Sequence, residues 1–159
     1  MSARDRLIEE LSDHAVIVGD VVLTSGRTAK YYVDAKRAIL RPAGFLALGE
    51  LVAALAAGAD VKAFFVRKET KPHGLQRRIE GPFLEPGDRC LVVEDVSTTG
   101  GSAMQAVEAL REAGHEVVAV TTVLDRLAGA RERIETEAGV AFRPLTTIDD
   151  VYPERPDRT

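Results

Sequence analysis

The chain has a single cysteine, Cys90, so it cannot form an internal disulfide, which is in keeping with a reducing cytoplasm. Cys90 sits inside an apolar run and reads as a small buried hydrophobe. No apolar run is long enough to span a bilayer, and Met1-Ser2-Ala3-Arg4-Asp5 does not open like a signal peptide. There is no excess of positive charge: the net charge of −4 provides no general drive toward nucleic acid or membrane. Repeats and low-complexity tracts are missing, and no Ser or Cys nucleophile constellation is present. What remains is 159 residues, 45% hydrophobic and 29% charged, enough for one domain with a real core.

The most informative stretch is 90–103. Cys90-Leu91-Val92-Val93 is a short apolar run, as expected of a buried parallel strand. Two carboxylates follow, Glu94 and Asp95, then Val96 and a small, hydroxyl-rich turn, Ser97-Thr98-Thr99-Gly100-Gly101-Ser102. The residues from Gly101 to Ala113 have helical spacing, with a stop at Gly114. A strand that ends in such a turn at a helix start is an anion site: first-turn N–H groups face the ligand, and the helix dipole favours negative charge. Gly100 and Gly101 allow close backbone approach. Thr98, Thr99 and Ser102 add hydroxyl donors. The acidic pair would repel a phosphate and suits sugar hydroxyls or hydrated Mg²⁺. Together these features point to a phosphorylated sugar.

Val92-Val93-Glu94-Asp95-Val96-Ser97-Thr98-Thr99-Gly100 resembles the phosphoribosyl-pyrophosphate (PRPP) motif of type I phosphoribosyltransferases. The fold class this implies is α/β: a mostly parallel central sheet flanked by helices, with a small N-terminal hood (1–34), a core (42–152) and a mobile basic loop (67–81), all within one domain. Upstream, Thr24-Ser25-Gly26-Arg27, followed by an aromatic strand through Tyr31-Tyr32-Val33, resembles the N-terminal signature of orotate phosphoribosyltransferases. That resemblance implies that Ser25, Gly26 and Arg27 lie near the base. The chain has Thr24 where many members carry Lys; the sequence leaves open whether Lys30 compensates.

The segment 67–81 has five basic residues against two acidic ones, in an acidic protein. A long basic loop of this kind suits a clamp on pyrophosphate. Arg67-Lys68-Glu69-x-Lys71-x-His73-Gly74 resembles the mobile catalytic loop of the orotate family. This implies catalytic roles for Arg67, Lys71 and His73, a PRPP contact for Lys68, and a homodimer with shared sites. Asp125-Arg126 ends an apolar strand over 116–124, where parallel sheets bind ligands. Its arginine resembles the one that meets the orotate carboxylate in the family. The resemblance further implies Mg²⁺ carried mainly by PRPP, with Asp95 as the protein carboxylate in reach, and transfer of phosphoribose from PRPP to orotate. Two alternatives stand beside it: another nucleobase phosphoribosyltransferase, and a PRPP- or nucleotide-binding regulator without turnover.

The remaining elements read as follows. Residues 2–12 form a helix capped by Ser2, and 15–18 and 21–23 form two short strands around Gly19-Asp20. A helix over 42–57 has an apolar face of Phe45, Leu46, Leu48, Leu51, Val52 and Leu55, and a strand spans 61–66. The segment 130–138 is helical and the C-terminal residues are frayed. The family carries a further strand, glycine-rich turn and helix between the helix at 42–57 and the strand at 61–66, where this chain has only Ala57-Gly58-Ala59-Asp60. Such a unit needs roughly 25–30 residues. Either residues are omitted from the sequence, or the protein was cut, or it truly lacks the unit. True loss would expose a sheet edge or leave a gap in the core.

Overall fold

The computed structural model describes residues 1–158 except 23–25, 27, 57–61 and 68–77, and of 53–56 the backbone alone. Helix α1 (Ala3–His14) starts on a capping box: the Ser2 hydroxyl accepts from the Asp5 N–H, and the Asp5 carboxylate accepts from the Ser2 N–H. Strand β1 (Val16–Val22) pairs antiparallel with β2 (Thr28–Val33). Gly19-Asp20 is therefore not a turn between two strands. It is an irregularity within one strand, between Val18 and Val21, with Gly19 at φ +145°.

A short α2 (Lys36–Ile39) leads to α3 (Pro42–Ala56). Among the described side chains of α3, Ala47, Leu48 and Leu51 join the core, while Phe45, Leu46 and Val52 are exposed, against the wide buried face expected; Leu55 of that face lies outside them. Of the strand expected over 61–66, the described residues 62–66 form only β3 (Phe65–Val66). It pairs antiparallel with β4 (Ile79–Glu80) across the basic loop and does not join the parallel sheet.

Among the described residues that sheet has three parallel strands in the order β5 (Arg89–Ser97), β6 (Glu116–Asp125) and β7 (Ala141–Thr147), with β5 at an edge. Helix α4 (Gly101–Glu112) links β5 to β6; α5 (Ala130–Arg133) and a π-helical turn (Ile134–Ala138) link β6 to β7. One core forms where α4 and the 130–138 segment cover Cys90, Val92, Val117, Val120 and Phe142. A second core joins α1, α2, α3 and the short α6 (Ile148–Val151) to β2 and to Val123 and Leu124 of β6.

Along β5, Leu91 and Val93 alternate with buried Cys90 and Val92, so they face the opposite side, and there they are 40% and 56% exposed. Among the described residues no layer packs on this face of an apolar strand. The C-terminal segment is held, contrary to the frayed end expected. Arg155 is nearly buried, with ion pairs to Asp149 at 2.9 Å and Asp157 at 3.6 Å.

Candidate active site

The register of β5 and β6 brings Ser97 opposite Asp125. The next N–H, that of Arg126, donates to the Ser97 carbonyl at 2.8 Å, so the two strand ends are tied together. Alternation along β5 then sends Glu94 and Asp95 to different sides. Glu94 lines a small cleft of about 40 Å³ together with Ser97, Thr98, Gly100, Gly101 and Ser102. Asp95 lines a second, open cleft of about 260 Å³ with Tyr32, Asp34, Lys36 and Arg126. Val96 and Thr98 belong to both. Thr99 is exposed and lines neither.

The first cleft is built as an anion cradle. Gly100, the residue before α4, has φ +75°, and no side chain caps the helix start. The first-turn N–H groups of α4 have no intrahelical acceptors and face the cleft from a 12-residue helix. A side chain at Gly100 would also crowd Ile134, whose nearest atoms lie 3.3 Å from an ideal Cβ. Glycine is thus required twice over, by the left-handed backbone and by the packed π-helical turn.

In the second cleft Arg126 is the principal cation. Its guanidinium carbon lies 4.4 Å from the centroid of the Tyr31 ring. Its Nε is buried with no hydrogen-bond partner. Lys36 reaches Asp95 at 3.7 Å, and the Asp95 carboxylate also accepts from the Val96 N–H at 2.9 Å. Asp125 is turned inward: burial raises its pKa, opposed by the Leu127 N–H, which it accepts at 2.9 Å. It shapes the turn after β6, where Leu127 takes φ +56°.

The structure thus groups Glu94, Asp95, Val96, Ser97, Thr98, Gly100, Gly101, Ser102 and Arg126. Gly26 is exposed at the hairpin end, with φ +79°. Ser25, Arg27, Lys68, Lys71 and His73 lie outside the described residues. Arg67 is described, and pairs with Glu80 at 3.2 Å across the base of the basic loop. Lys30 is engaged with Asp20 at 2.6 Å on the hairpin. Sequence reasoning passed over Lys36, Asp34 and Tyr31. The signal for them was the polar end of the aromatic strand, Val33-Asp34-Ala35-Lys36, which the topology returns to the sheet's carboxyl edge. Among the described residues no group of three or more His, Cys, Asp or Glu side chains forms a metal cage. No helix among them is long and apolar enough to cross a membrane.

The family model for the phosphoribosyl transferase domain matches residues 41–143, a span that takes in the phosphate cradle, both acids and Arg126, and this sets the class. The orotate phosphoribosyltransferase of Streptomyces avermitilis is 46% identical over 168 residues, covering 88% of this chain and 92% of that protein. Crystal structures of the Mycobacterium tuberculosis orotate phosphoribosyltransferase superpose closely. One, with Fe(III) dicitrate, has a TM-score of 0.78 at 40% identity and covers 94% of this chain and 99% of that one. Another, with PRPP, has a TM-score of 0.74 at 36% identity and covers 94% and 98%. The chain belongs to the orotate phosphoribosyltransferase family. The match is uneven in length: 88% of 159 residues is about 140, so an alignment of 168 leaves about 28 positions of the Streptomyces protein without a counterpart here.

Proposed function

We propose that this protein transfers the phosphoribosyl group of PRPP to orotate, giving orotidine 5′-monophosphate and pyrophosphate, a step of pyrimidine synthesis. The observation that carries the reading is the junction of the two clefts at Val96 and Thr98, an anion cradle on one side and an arginine-bearing slot on the other. A ribose spanning that junction would place its 5′-phosphate on Thr98 to Ser102 and its hydroxyls against Glu94 and Asp95. Arg126, with Thr98, orients the base, since a guanidinium grips a carboxylate through two parallel hydrogen bonds. Ser25, Gly26 and Arg27 are assigned to the neighbourhood of the base, as in the family signature they resemble.

In the reaction the bond from the anomeric carbon to pyrophosphate breaks, its electron pair leaving with pyrophosphate, and the bond to the orotate ring nitrogen forms as that nitrogen gives up its proton, which leaves with the pyrophosphate. No protein nucleophile is required, because the cationic sugar carbon is stabilised electrostatically. Arg67, Lys68, Lys71 and His73 hold the departing pyrophosphate, and the closed loop excludes water. For Arg67 this means exchanging Glu80 for the ligand. Mg²⁺ arriving with PRPP supplies Lewis-acid neutralisation of the leaving group. Asp95, an accessible carboxylate beside the clefts, fits an ion that takes one or two protein oxygens plus substrate phosphates. A second copy of the chain completes each site through its basic loop, and the working compartment is the cytoplasm.

The test is consumption of orotate with PRPP and Mg²⁺, with uracil and adenine as rival bases. Orotate-specific turnover is expected; preference for another base would overturn the reading. The shortfall of about 28 positions and the open face of β5 favour one second reading, a binding protein without turnover. Tight binding of PRPP with no product formed would establish that one instead.

A further inference from the structure

Arg126 has no carboxylate within ion-pairing distance among the described residues, yet its position is defined by an aromatic ring. Tyr31 lies under the guanidinium at 4.4 Å and is itself 3% exposed. The Tyr31 hydroxyl donates to the Asp157 carboxylate at 3.1 Å, across 126 residues of sequence. Tyr152 meets the same ring edge-on, with centroids 5.4 Å apart and planes at 80°. Arg155 fastens Asp157 in turn, at 3.6 Å, and is anchored to Asp149 at 2.9 Å. The C-terminal segment 152–157 therefore braces one face of the slot.

We infer that Tyr31, held by Asp157, is the positioning residue for Arg126, setting the plane of the guanidinium so that its free edge meets the ligand's carboxylate. A ring beneath the guanidinium occupies its face and leaves the edge, with its fork of N–H donors, for a ligand. The Nε is buried without a hydrogen-bond partner, so the edge offered to a ligand is that of the terminal N–H groups, and Arg126 lines the open cleft. Burial raises the Tyr31 pKa, so the phenol stays protonated and continues to donate to Asp157. The inference rests on the proposed role of Arg126 in binding the orotate carboxylate.

The test compares calorimetric affinities of the full chain for orotidine 5′-monophosphate and uridine 5′-monophosphate, two ligands that differ only by the carboxylate. Wild type should prefer the first. Tyr31→Leu, which removes the ring, should cut that preference about tenfold by weakening the orotidine ligand alone, with the uridine ligand within about twofold. Tyr31→Phe keeps the ring and loses the tether, and should give a smaller drop, about threefold, matched by Asp157→Ala. The last two variants carry the test if Tyr31→Leu does not fold. Equal weakening of both ligands, or an unchanged preference in all three variants, would overturn the positioning role and leave the proposed function standing. A wild type that binds both ligands alike would remove the carboxylate role of Arg126 and this inference with it. A wild type that binds neither would overturn the proposed function as well.

Discussion

The Arg126 N–H donates to the Ser97 carbonyl at 2.8 Å, joining the end of β6 to the end of β5. The bond is made by backbone, so it is independent of the Arg126 side chain. Function can therefore be removed from this position without cutting the tie that aligns the two clefts.

Arg126→Lys makes use of that separation. Lysine keeps the charge and loses the planar fork, so one of two charge-assisted bonds to a carboxylate is forfeited. The KM for orotate should rise about tenfold, while the KM for PRPP stays within about twofold. Steady-state kinetics with each substrate varied in turn checks this. A parallel rise in both constants would place Arg126 outside the base slot.

Gly100→Ala should be costly for two reasons that add. The left-handed backbone costs a side chain about 1–2 kcal/mol, and the new methyl meets Ile134 at 3.3 Å. Urea denaturation should show a loss of that order, with PRPP affinity falling as the loop reshapes. Gly114→Ala has the same backbone penalty at φ +85° but open space around it, so the difference between the two variants isolates the contact with Ile134.

The cradle was legible in the sequence because its information is local. An apolar strand, two acids, and a glycine turn before a helical period lie within 90–103, and local spacing fixes their chemistry. Arg126 was legible for a similar reason, at the end of the next apolar strand. What escaped notice depends on distant contacts. The bond from Tyr31 to Asp157 joins two ends of the chain, and nothing near 157 distinguishes a tethered tail from a loose one. The Gly19-Asp20 pair has turn chemistry, but β2 pairs with residues on both sides of it and absorbs it as a bulge. The apolar run 61–66 has strand composition, yet among its described residues, 62–66, only Phe65 and Val66 find a strand partner, in β4. Composition shows what a segment can do, and the available neighbours decide what it does.

Val92 and Val93 are adjacent, chemically identical and oppositely placed, at 6% and 56% exposure. Val92→Thr buries a hydroxyl in an apolar core and should cost about 1–3 kcal/mol. Val93→Thr should change stability by no more than about 0.5 kcal/mol. Inserting the Streptomyces protein's additional residues between Gly58 and Val61 should make Val93→Thr costly as well, if they supply a layer on that face of β5. Guanidinium titrations of the wild type, the insertion protein and the three substituted forms measure this directly. A large cost for Val93→Thr in the chain as it stands would mean that the face is already covered.

Asp150 links the start of α6 to α1 and titrates in a way that separates its contribution from the rest of the fold. Its carboxylate accepts from the Thr147 N–H at 2.8 Å and the Thr147 hydroxyl at 2.9 Å, and pairs with Arg4 at 2.8 Å. Burial alone would raise its pKa, but these partners outweigh burial and hold it below the ordinary value of 3.8. The folded protein thus binds this proton less readily than the unfolded chain does. The stabilisation is complete above the unfolded value and is lost as pH falls through the folded one. Asp150→Ala should cost about 1–2 kcal/mol at pH 7, the range for a lost helix cap. The gap between variant and wild type should hold down to about pH 4 and close below it, because protonation removes in wild type what the mutation removes outright. Denaturation midpoints followed from pH 7 to pH 2.5 test this. A gap that persists unchanged at the acid end would mean that the hydrogen bonds, and not the charge, carry the contribution.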